Sequence, residues 1–336
     1  MHILLVARNR IPVFAYGGTE RVIWDLGKAL NALGHRVTYL VKSRSRCDFG
    51  DVLALDKRRP LLQQVKEAME QVGADIAHFQ SNPFPDIETA EAFDVLCVMT
   101  EHGNAEQGTW YPRNVVFIAA DHARRHGSGH FVYNGLDWSA YGDVDLAAPR
   151  RHFHFLGNAK WPVKNLPGAL EVAAAAGVPL EVMGARQLQF KPQFRWTRQA
   201  GTRFHGMVGG RKKFSLLNGS RGFIFPVLWH EPFGLAVIES LYFGCPIFAT
   251  PYGAIPELVP EHGGVLSNSR ADLASALQQA DQLSATACHE HARDHFHARR
   301  MACGYLEKYQ QVLDRQPLHD TPPRTLVHPR DLPWLP

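Results

Sequence analysis

At the start of the chain, segments with a continuous run of apolar residues alternate with segments in which apolar residues recur at helical spacing. Residues 3–7 form a continuous apolar run, which is typical of a strand buried on both faces of a parallel sheet. Apolar positions then recur at helical spacing from Val22 to Leu33, Gly34 closes that helix, and 37–41 is predicted to be a strand. This order predicts a doubly wound sheet that binds ligands in loops at the carboxyl ends of its strands.

The alternation continues far along the chain and falls into two series. The first contains helix 60–72, strand 75–79, helix 86–92, strand 94–99 and strand 115–119. The second contains strand 152–157, helix 166–177, strands 179–183 and 222–226, helix 233–243 and strand 246–249. Two such series predict an α/β protein of two Rossmann-like domains, 1–134 and 135–304, which meet at the Asn134-Gly135 turn. The pattern also predicts a helix over 290–314 and an extended, proline-rich tail over 315–336.

Composition restricts the class of protein. The length of 336 residues suits two domains, and a net charge of +4 is too mild to indicate nucleic acid binding. The 5 cysteines contain no C-x-x-C pair, so no disulfide framework is implied. No signal peptide is apparent, and no apolar stretch reaches the roughly 18 residues of a membrane span. We therefore expect a soluble, cytoplasmic protein.

Two short basic runs stand out near the N-terminus. Lys42, Arg44 and Arg46 form the first. Lys57, Arg58 and Arg59 form the second. They suit an anionic lipid surface or an acidic acceptor, which would allow a peripheral contact with the inner face of the membrane. A solvated loop face is the alternative interpretation.

The most informative segment is 230–239, which places Glu231 and Glu239 eight residues apart. Pro232 suits the first turn of a helix, so the amides of Phe233, Gly234 and Leu235 are predicted to form a phosphate site at a helix N-terminus. Eight residues of helix rise about 12 Å. The carboxyl groups of a hydrolase pair lie only about 5–9 Å apart. We therefore predict that the two glutamates hold the two ends of one long ligand, with a diphosphate between them.

This segment resembles the E-x7-E motif of the retaining glycosyltransferases of family 4, which have the GT-B fold. The resemblance extends over nearly the whole chain. It is carried by segments 17–22, 75–78, 100–103, 132–137, 240–247 and 253–259. It implies two domains facing across a cleft, with the acceptor on the first and the nucleotide-sugar donor on the second. It also implies that the C-terminal segment 305–336 packs back on the first domain.

The resemblance implies a role for each candidate residue. Glu239 would hold the ribose hydroxyls of the nucleotide, and Glu231 would stabilise the oxocarbenium-like transition state at the donor sugar. Lys164 would bind the diphosphate, and His102 would contact the donor sugar. The glycine pair Gly17-Gly18 would let the backbone approach a phosphate or sugar closely. His78, at a similar strand end, is interpreted as structural.

One departure from the family pattern concerns the diphosphate site. The family often has an arginine six residues before the lysine, but here that position is Asn158, which brings no charge. Lys160 is the candidate replacement for the missing cation. If it does not reach the diphosphate, the donor would bind weakly or the site would be degenerate.

Two possible metal motifs are set aside. Asp143-Val144-Asp145 has the D-x-D form of a metal-binding pair but lies in a polar loop, and a lysine-based diphosphate site makes a metal unnecessary. His291 and His295 have i, i+4 spacing without an evident third ligand, so a solvated helix face is favoured. We expect neither a metal nor another cofactor.

The resemblance implies a retaining hexosyltransferase. Its donor would be a nucleotide diphosphate sugar, with a UDP-sugar such as UDP-glucose favoured, and its acceptor a hydroxyl group. The acceptor stays open among a glycan, a lipid-linked or lipopolysaccharide intermediate and a small molecule. The alternatives are a UDP-sugar 2-epimerase-like enzyme and a catalytically weak subunit that binds a sugar nucleotide.

Overall fold

The structure, a computed structural model, describes residues 1–13, 17–186, 188–189, 195–196, 200–327 and 332–336. The chain divides into two compact units, Met1–Asp137 with Phe296–His328 and Trp138–His295 with Pro329–Pro336. The chain thus leaves the first unit after Asp137 and returns to it at Phe296, whereas the sequence-based boundaries fall at 134 and 305.

The first unit is a parallel six-stranded sheet in the order β3-β2-β1-β4-β5-β6. Its strands are β1 (His2–Val6), β2 (Arg36–Lys42), β3 (Asp51–Leu55), β4 (Ile76–Phe79), β5 (Cys97–Glu101) and β6 (Val115–Phe117). Its first four helices are α1 (Gly18–Ala32), α2 (Leu61–Val72), α3 (Ile87–Ala92) and α4 (Ala120–Arg125). The central strand β1 is buried along its whole length, as its continuous apolar run predicts.

The second unit repeats this architecture with a parallel sheet in the order β11-β8-β7-β12-β13-β14. Its strands are β7 (His152–Leu156), β8 (Leu180–Met183), β11 (Thr202–Gly206), β12 (Ser220–Phe225), β13 (Ile247–Ala249) and β14 (Gly264–Leu266). A separate antiparallel pair consists of β9 (Leu188–Gln189) and β10 (Arg195–Trp196). Its helices are α5 (Leu166–Ala175), α6 (Gly210–Asn218), α7 (Leu235–Tyr242), α8 (Ile255–Leu258), α9 (Arg270–Gln278) and α10 (Ala285–His295).

The single helix predicted over 290–314 is wrong, because two helices occupy this region. Helix α10 ends at His295 and α11 (Ala298–Leu313) begins after an extended residue, His297. Leu136 accounts for the break: its amide donates to the Phe296 carbonyl and its carbonyl accepts from the Ala298 amide, both at 2.9 Å. These backbone bonds replace helical ones, so the chain cannot continue as one helix.

Helix α11 packs on the first unit through a buried polar chain. His78 on β4 is hydrogen-bonded to Thr100 on β5 and to Tyr309 on α11, each at 2.7 Å. Thr100 is in turn hydrogen-bonded to Tyr305 at 2.8 Å. All four side chains are buried, which supports the structural interpretation of His78. No helix in the described ranges is long and apolar enough to cross a membrane.

Candidate functional site

Glu231 lies in the loop after β12, in the second unit, and is buried at 5% exposure. Its Oε2 accepts hydrogen bonds from the Lys164 ammonium at 2.6 Å and from the Trp229 indole at 2.8 Å. Bonds between ionised groups are short and strong, and the second donor fixes the orientation of the carboxylate. The carboxylate is therefore held in one position before any ligand arrives.

The backbone of Glu231 is fixed by a glycine on the neighbouring loop. Glu231 forms a parallel bridge with Gly253, and its carbonyl accepts the Ala254 amide at 2.9 Å. A Cβ at position 253 would lie 2.3 Å from both the amide nitrogen and the carbonyl oxygen of Glu231. The close approach therefore requires glycine, whose φ of +67° is also unfavourable for other residues.

Lys164 ends a short 3-10 turn that follows β7. Its ammonium lies 4.8 Å from the ring centroid of Trp229 and 5.2 Å from that of Phe225, within cation–π range. The next residue, Asn165, caps α5 through the Gly168 amide and donates to the Pro226 carbonyl at 2.9 Å. These bonds anchor the lysine turn to the loop that carries Glu231.

Glu239 on α7 is also buried and is paired with a second lysine. Its Oε1 accepts from the Lys213 ammonium at 2.6 Å and from the Tyr141 hydroxyl at 2.7 Å. Sequence reasoning missed both partners. Lys213 had a usable signal, because it shares the buried face of α6 with Leu217, four residues on, and a lysine among apolar positions of a helix needs a partner. Tyr141 carried no comparable signal.

The predicted start of the motif helix is wrong. Helix α7 begins at Leu235, and its N-cap is Gly234, in the left-handed region with φ of 104°. Pro232 therefore lies outside the helix, because the backbone pairing of Glu231 with Gly253 keeps this part of the chain extended. Only Glu239 lies on α7, so the helical rise between the two glutamates does not apply. No side chain caps α7, and its first turn retains the amides that a helix leaves unpaired.

Asn158 has a local structural role. Its Oδ1 accepts the backbone amide of Lys160 at 3.1 Å, which forms a turn of the kind that asparagine favours. The side chain of Lys160 is exposed. Its predicted contact with a diphosphate stays a prediction.

The first-unit candidates lie at the carboxyl ends of β1 and β5. Gly17 caps α1 and Gly18 begins it, while residues 14–16 fall outside the described part of the chain. His102 is hydrogen-bonded to Gln80 at 2.9 Å, and burial lowers its pKa to about 4, so its ring is neutral near pH 7. Burial also raises the pKa of neighbouring Glu101 to about 7.

The two segments set aside as metal motifs have other contacts. The Asn218 side chain donates a hydrogen bond to the Asp143 carbonyl at 3.1 Å and accepts one from the Asp145 amide at 3.0 Å. These two bonds fix that loop. His291 is hydrogen-bonded to the Leu258 carbonyl at 3.1 Å, so the predicted solvated face is wrong for this residue. Among the described residues, no three His, Cys, Asp or Glu side chains form a group that could hold a metal ion.

Comparison with known proteins assigns the second unit to a class. Residues 150–282 match the family model described as glycosyl transferases group 1, and this range contains both glutamate–lysine pairs. No curated protein matches the chain. The enzyme class predicted from the sequence, a glycosyltransferase, is thus confirmed through this domain.

Solved structures show the same fold over almost the whole chain. AviGT4, a glycosyltransferase of avilamycin A biosynthesis, is 18% identical, with a TM-score of 0.72 over 94% of this chain and 98% of its own. Sucrose-phosphate synthase from Thermosynechococcus elongatus is 17% identical, with a TM-score of 0.68 over 94% and 100%. Anabaena HepE, solved with UDP and glucose, is 14% identical, with a TM-score of 0.63 over 93% and 100%. The predicted fold class, two Rossmann-like domains of the GT-B type, is confirmed.

Proposed function

We propose that this glycosyltransferase moves a hexose from a UDP-sugar to an acceptor hydroxyl and retains the anomeric configuration. The observation that carries the proposal is the pair of buried carboxylates, each held by its own lysine and by one further donor. Both pairs lie within the range that matches the family model. The choice of UDP is supported by structures of Anabaena HepE with UDP and with UDP-glucose.

In this proposal Glu239 binds the nucleotide. A carboxylate accepts two hydrogen bonds from a cis-diol, such as the ribose hydroxyls. Lys213 and Tyr141 hold this carboxylate in a fixed orientation inside the protein. A preorganised acceptor loses little freedom when the ligand arrives, which favours binding.

Glu231 and Lys164 act at the reacting end of the donor. Lys164 binds the diphosphate and offsets the negative charge that grows on the leaving group. Glu231 stabilises the positive charge that develops on the sugar. The acceptor attacks the face that the diphosphate leaves, and a phosphate oxygen takes its proton. A covalent glycosyl intermediate trapped on Glu231 would overturn this mechanism.

A thermal-shift panel with UDP, GDP, ADP, CMP and TDP tests the donor assignment. A ligand that binds only the folded state adds about 2.7 kcal/mol at a hundredfold excess over its dissociation constant. We expect selective stabilisation by UDP that is lost in Glu239→Ala. It should persist in Glu171→Ala, whose exposed glutamate lies on helix α5 of the same unit.

Two results would contradict the proposal. Stabilisation by none of the nucleotides would favour a degenerate, non-catalytic site, which the uncharged Asn158 at the diphosphate position also supports. A changed sugar nucleotide formed from the UDP-sugar alone, without any acceptor, would favour a 2-epimerase-like enzyme.

A further inference from the structure

Charge is distributed unevenly along the first unit. Residues 1–60 contain 11 Lys and Arg against 5 Asp and Glu, whereas residues 61–137 contain 4 against 11. The basic part includes strands β1, β2 and β3, which are adjacent in the sheet. Residues 1–60 are therefore strongly positive, although the net charge of the whole protein is modest.

Most of these cations lie at one edge of the sheet. Because β1, β2 and β3 are parallel, their carboxyl ends meet at the same edge, where doubly wound folds bind ligands. The residues that follow the three strands, or end one of them, include seven cations that we call the basic edge: Arg8, Arg10, Lys42, Arg44, Arg46, Lys57 and Arg58. Lys42 is half-buried, and the other six are exposed.

Backbone bonds hold the first two loops of the basic edge together. The Lys42 amide donates to the Asn9 carbonyl at 3.1 Å, and the Arg46 amide donates to the Ile11 carbonyl at 3.0 Å. Ser45 links the same loops, because its hydroxyl accepts the Ile11 amide and donates to the Lys42 carbonyl. The cations on these loops are therefore carried by a defined backbone.

The third loop is fixed by a buried glutamine. Gln64 accepts the Asp56 amide at 2.8 Å and donates to the carbonyls of Asp56 and Arg59. Lys42 is paired with Leu55 in the sheet register, so the turn that carries Lys57 and Arg58 continues directly beside the second loop.

The seven cations have no acidic partners among the described residues. The next arginine along the chain, Arg59, forms an ion pair with Glu67 at 2.5 Å. Arg59 is for this reason not counted in the basic edge. Asp56 accepts the backbone amide of Arg58 rather than a side chain. A concentration of cations without partners creates a positive potential that attracts anions.

We propose that the basic edge binds a phosphate-bearing group of the acceptor. Five of its seven cations are arginines, whose planar guanidinium groups bind phosphate oxygens through two parallel hydrogen bonds. Several cations on adjoining loops suit a group with more than one negative charge. This inference rests on the proposed transferase function, because it names the class of acceptor. The phosphate belongs either to a soluble acceptor or to a lipid headgroup at a membrane surface.

The test compares two triple variants of the full chain, both in saturating UDP so that the donor phosphate site is occupied. The edge variant is Arg8→Gln/Arg44→Gln/Arg46→Gln. The control variant, Arg299→Gln/Lys308→Gln/Arg324→Gln, removes three cations elsewhere on the same unit. The probes are tripolyphosphate, followed by calorimetry, and phosphatidylglycerol vesicles, followed by cosedimentation with phosphatidylcholine vesicles as the blank.

We expect the wild type and the control variant to bind one of the two probes and the edge variant to bind it about a hundredfold more weakly, since each cation near an anionic surface contributes about fivefold. Tripolyphosphate binding would identify a soluble acceptor, and vesicle binding a lipid. Equal losses in both variants, or no binding by the wild type, would overturn the proposal. If the edge variant does not fold, Lys57→Gln/Arg58→Gln replaces it.

Thermal shift with UDP on the same variants separates this inference from the donor assignment. Stabilisation by UDP without binding of either anionic probe would reject the phosphate site at the basic edge and leave the donor assignment intact. Anion binding specific to the edge without any UDP stabilisation would reject the proposed donor instead.

Discussion

At the residue scale, the Lys213–Glu239 pair is expected to be essential for both stability and nucleotide binding. Both side chains are at least nine-tenths buried, and their charged atoms lie 2.6 Å apart. Lys213→Met would leave the carboxylate buried without its cation, which costs about 3–5 kcal/mol. Urea unfolding would measure this loss. Lys212→Met is the matched control, because Lys212 is the exposed neighbour.

The double variant Lys213→Met/Glu239→Leu should recover much of the stability, because it removes both charges together. UDP stabilisation should remain absent in it, since the ribose acceptor is lost. A double variant that regains UDP binding would show that Glu239 does not contact the nucleotide.

A second residue-scale prediction concerns the cation missing at Asn158. If Lys160 supplies it, Lys160→Gln should weaken UDP binding about tenfold or more, since a hydrogen bond to a charged group contributes about 1.5–3 kcal/mol. Adding Asn158→Arg to that variant should restore the affinity, whereas Asn158→Arg alone should gain little. A large gain from Asn158→Arg alone would instead indicate a degenerate site. Titration calorimetry with UDP measures all three.

At the scale of elements, the contact of α11 with β4 and β5 is expected to be acid-sensitive. Burial lowers the pKa of His78 from 6.5 to about 3. The unfolded chain therefore binds a proton between these values that the folded chain excludes. The contribution of His78 is intact above pH 6.5 and falls with decreasing pH by up to about 1.4 kcal/mol per pH unit.

His78→Gln tests this sign. The variant is less stable than wild type near pH 7, because the bonds to Thr100 and Tyr309 are disturbed, but its stability should depend less on pH between 6.5 and 4. Burial raises the pKa of Asp25 and Glu101 to about 7, and both act in the opposite direction. Asp25 and Glu101 are present in both proteins, so subtracting the stability of the variant from that of the wild type at each pH removes their contribution. Parallel profiles would exclude the His78 assignment.

At the scale of the whole molecule, the two units should respond differently to the nucleotide. Hydrogen exchange with and without UDP is expected to slow mainly in the second unit, in the segments around 157–165, 211–215 and 229–242 that carry both lysine–glutamate pairs. Glu239→Ala serves as the control and should show no slowing. Protection confined to the first unit would contradict the placement of the donor.

The elements missed in the sequence show what a hydrophobic pattern can detect. Strands β3, β11 and β14 were not predicted, and each lies at the edge of its sheet. Their residues are largely half-buried or exposed, so they lack the continuous apolar run of a central strand such as β1. An edge strand contacts one neighbour instead of two, so its residues can stay partly exposed and carry a weaker pattern. The edge strand β6 was predicted because its three residues are buried.

The order of apolar runs was sufficient to predict two doubly wound units, because the apolar pattern of a buried strand or helix is contained in a short segment. Local chemistry singled out Glu231 and Glu239, whereas Lys164 was singled out only by the family resemblance. The partners of these residues were decided by the fold. Tyr141 and Glu239 are 98 positions apart, and Lys164 and Glu231 are 67 apart. Such pairs meet only after strand order and helix packing are set, because a hydrogen bond depends on separation in space, which separation along the chain does not determine.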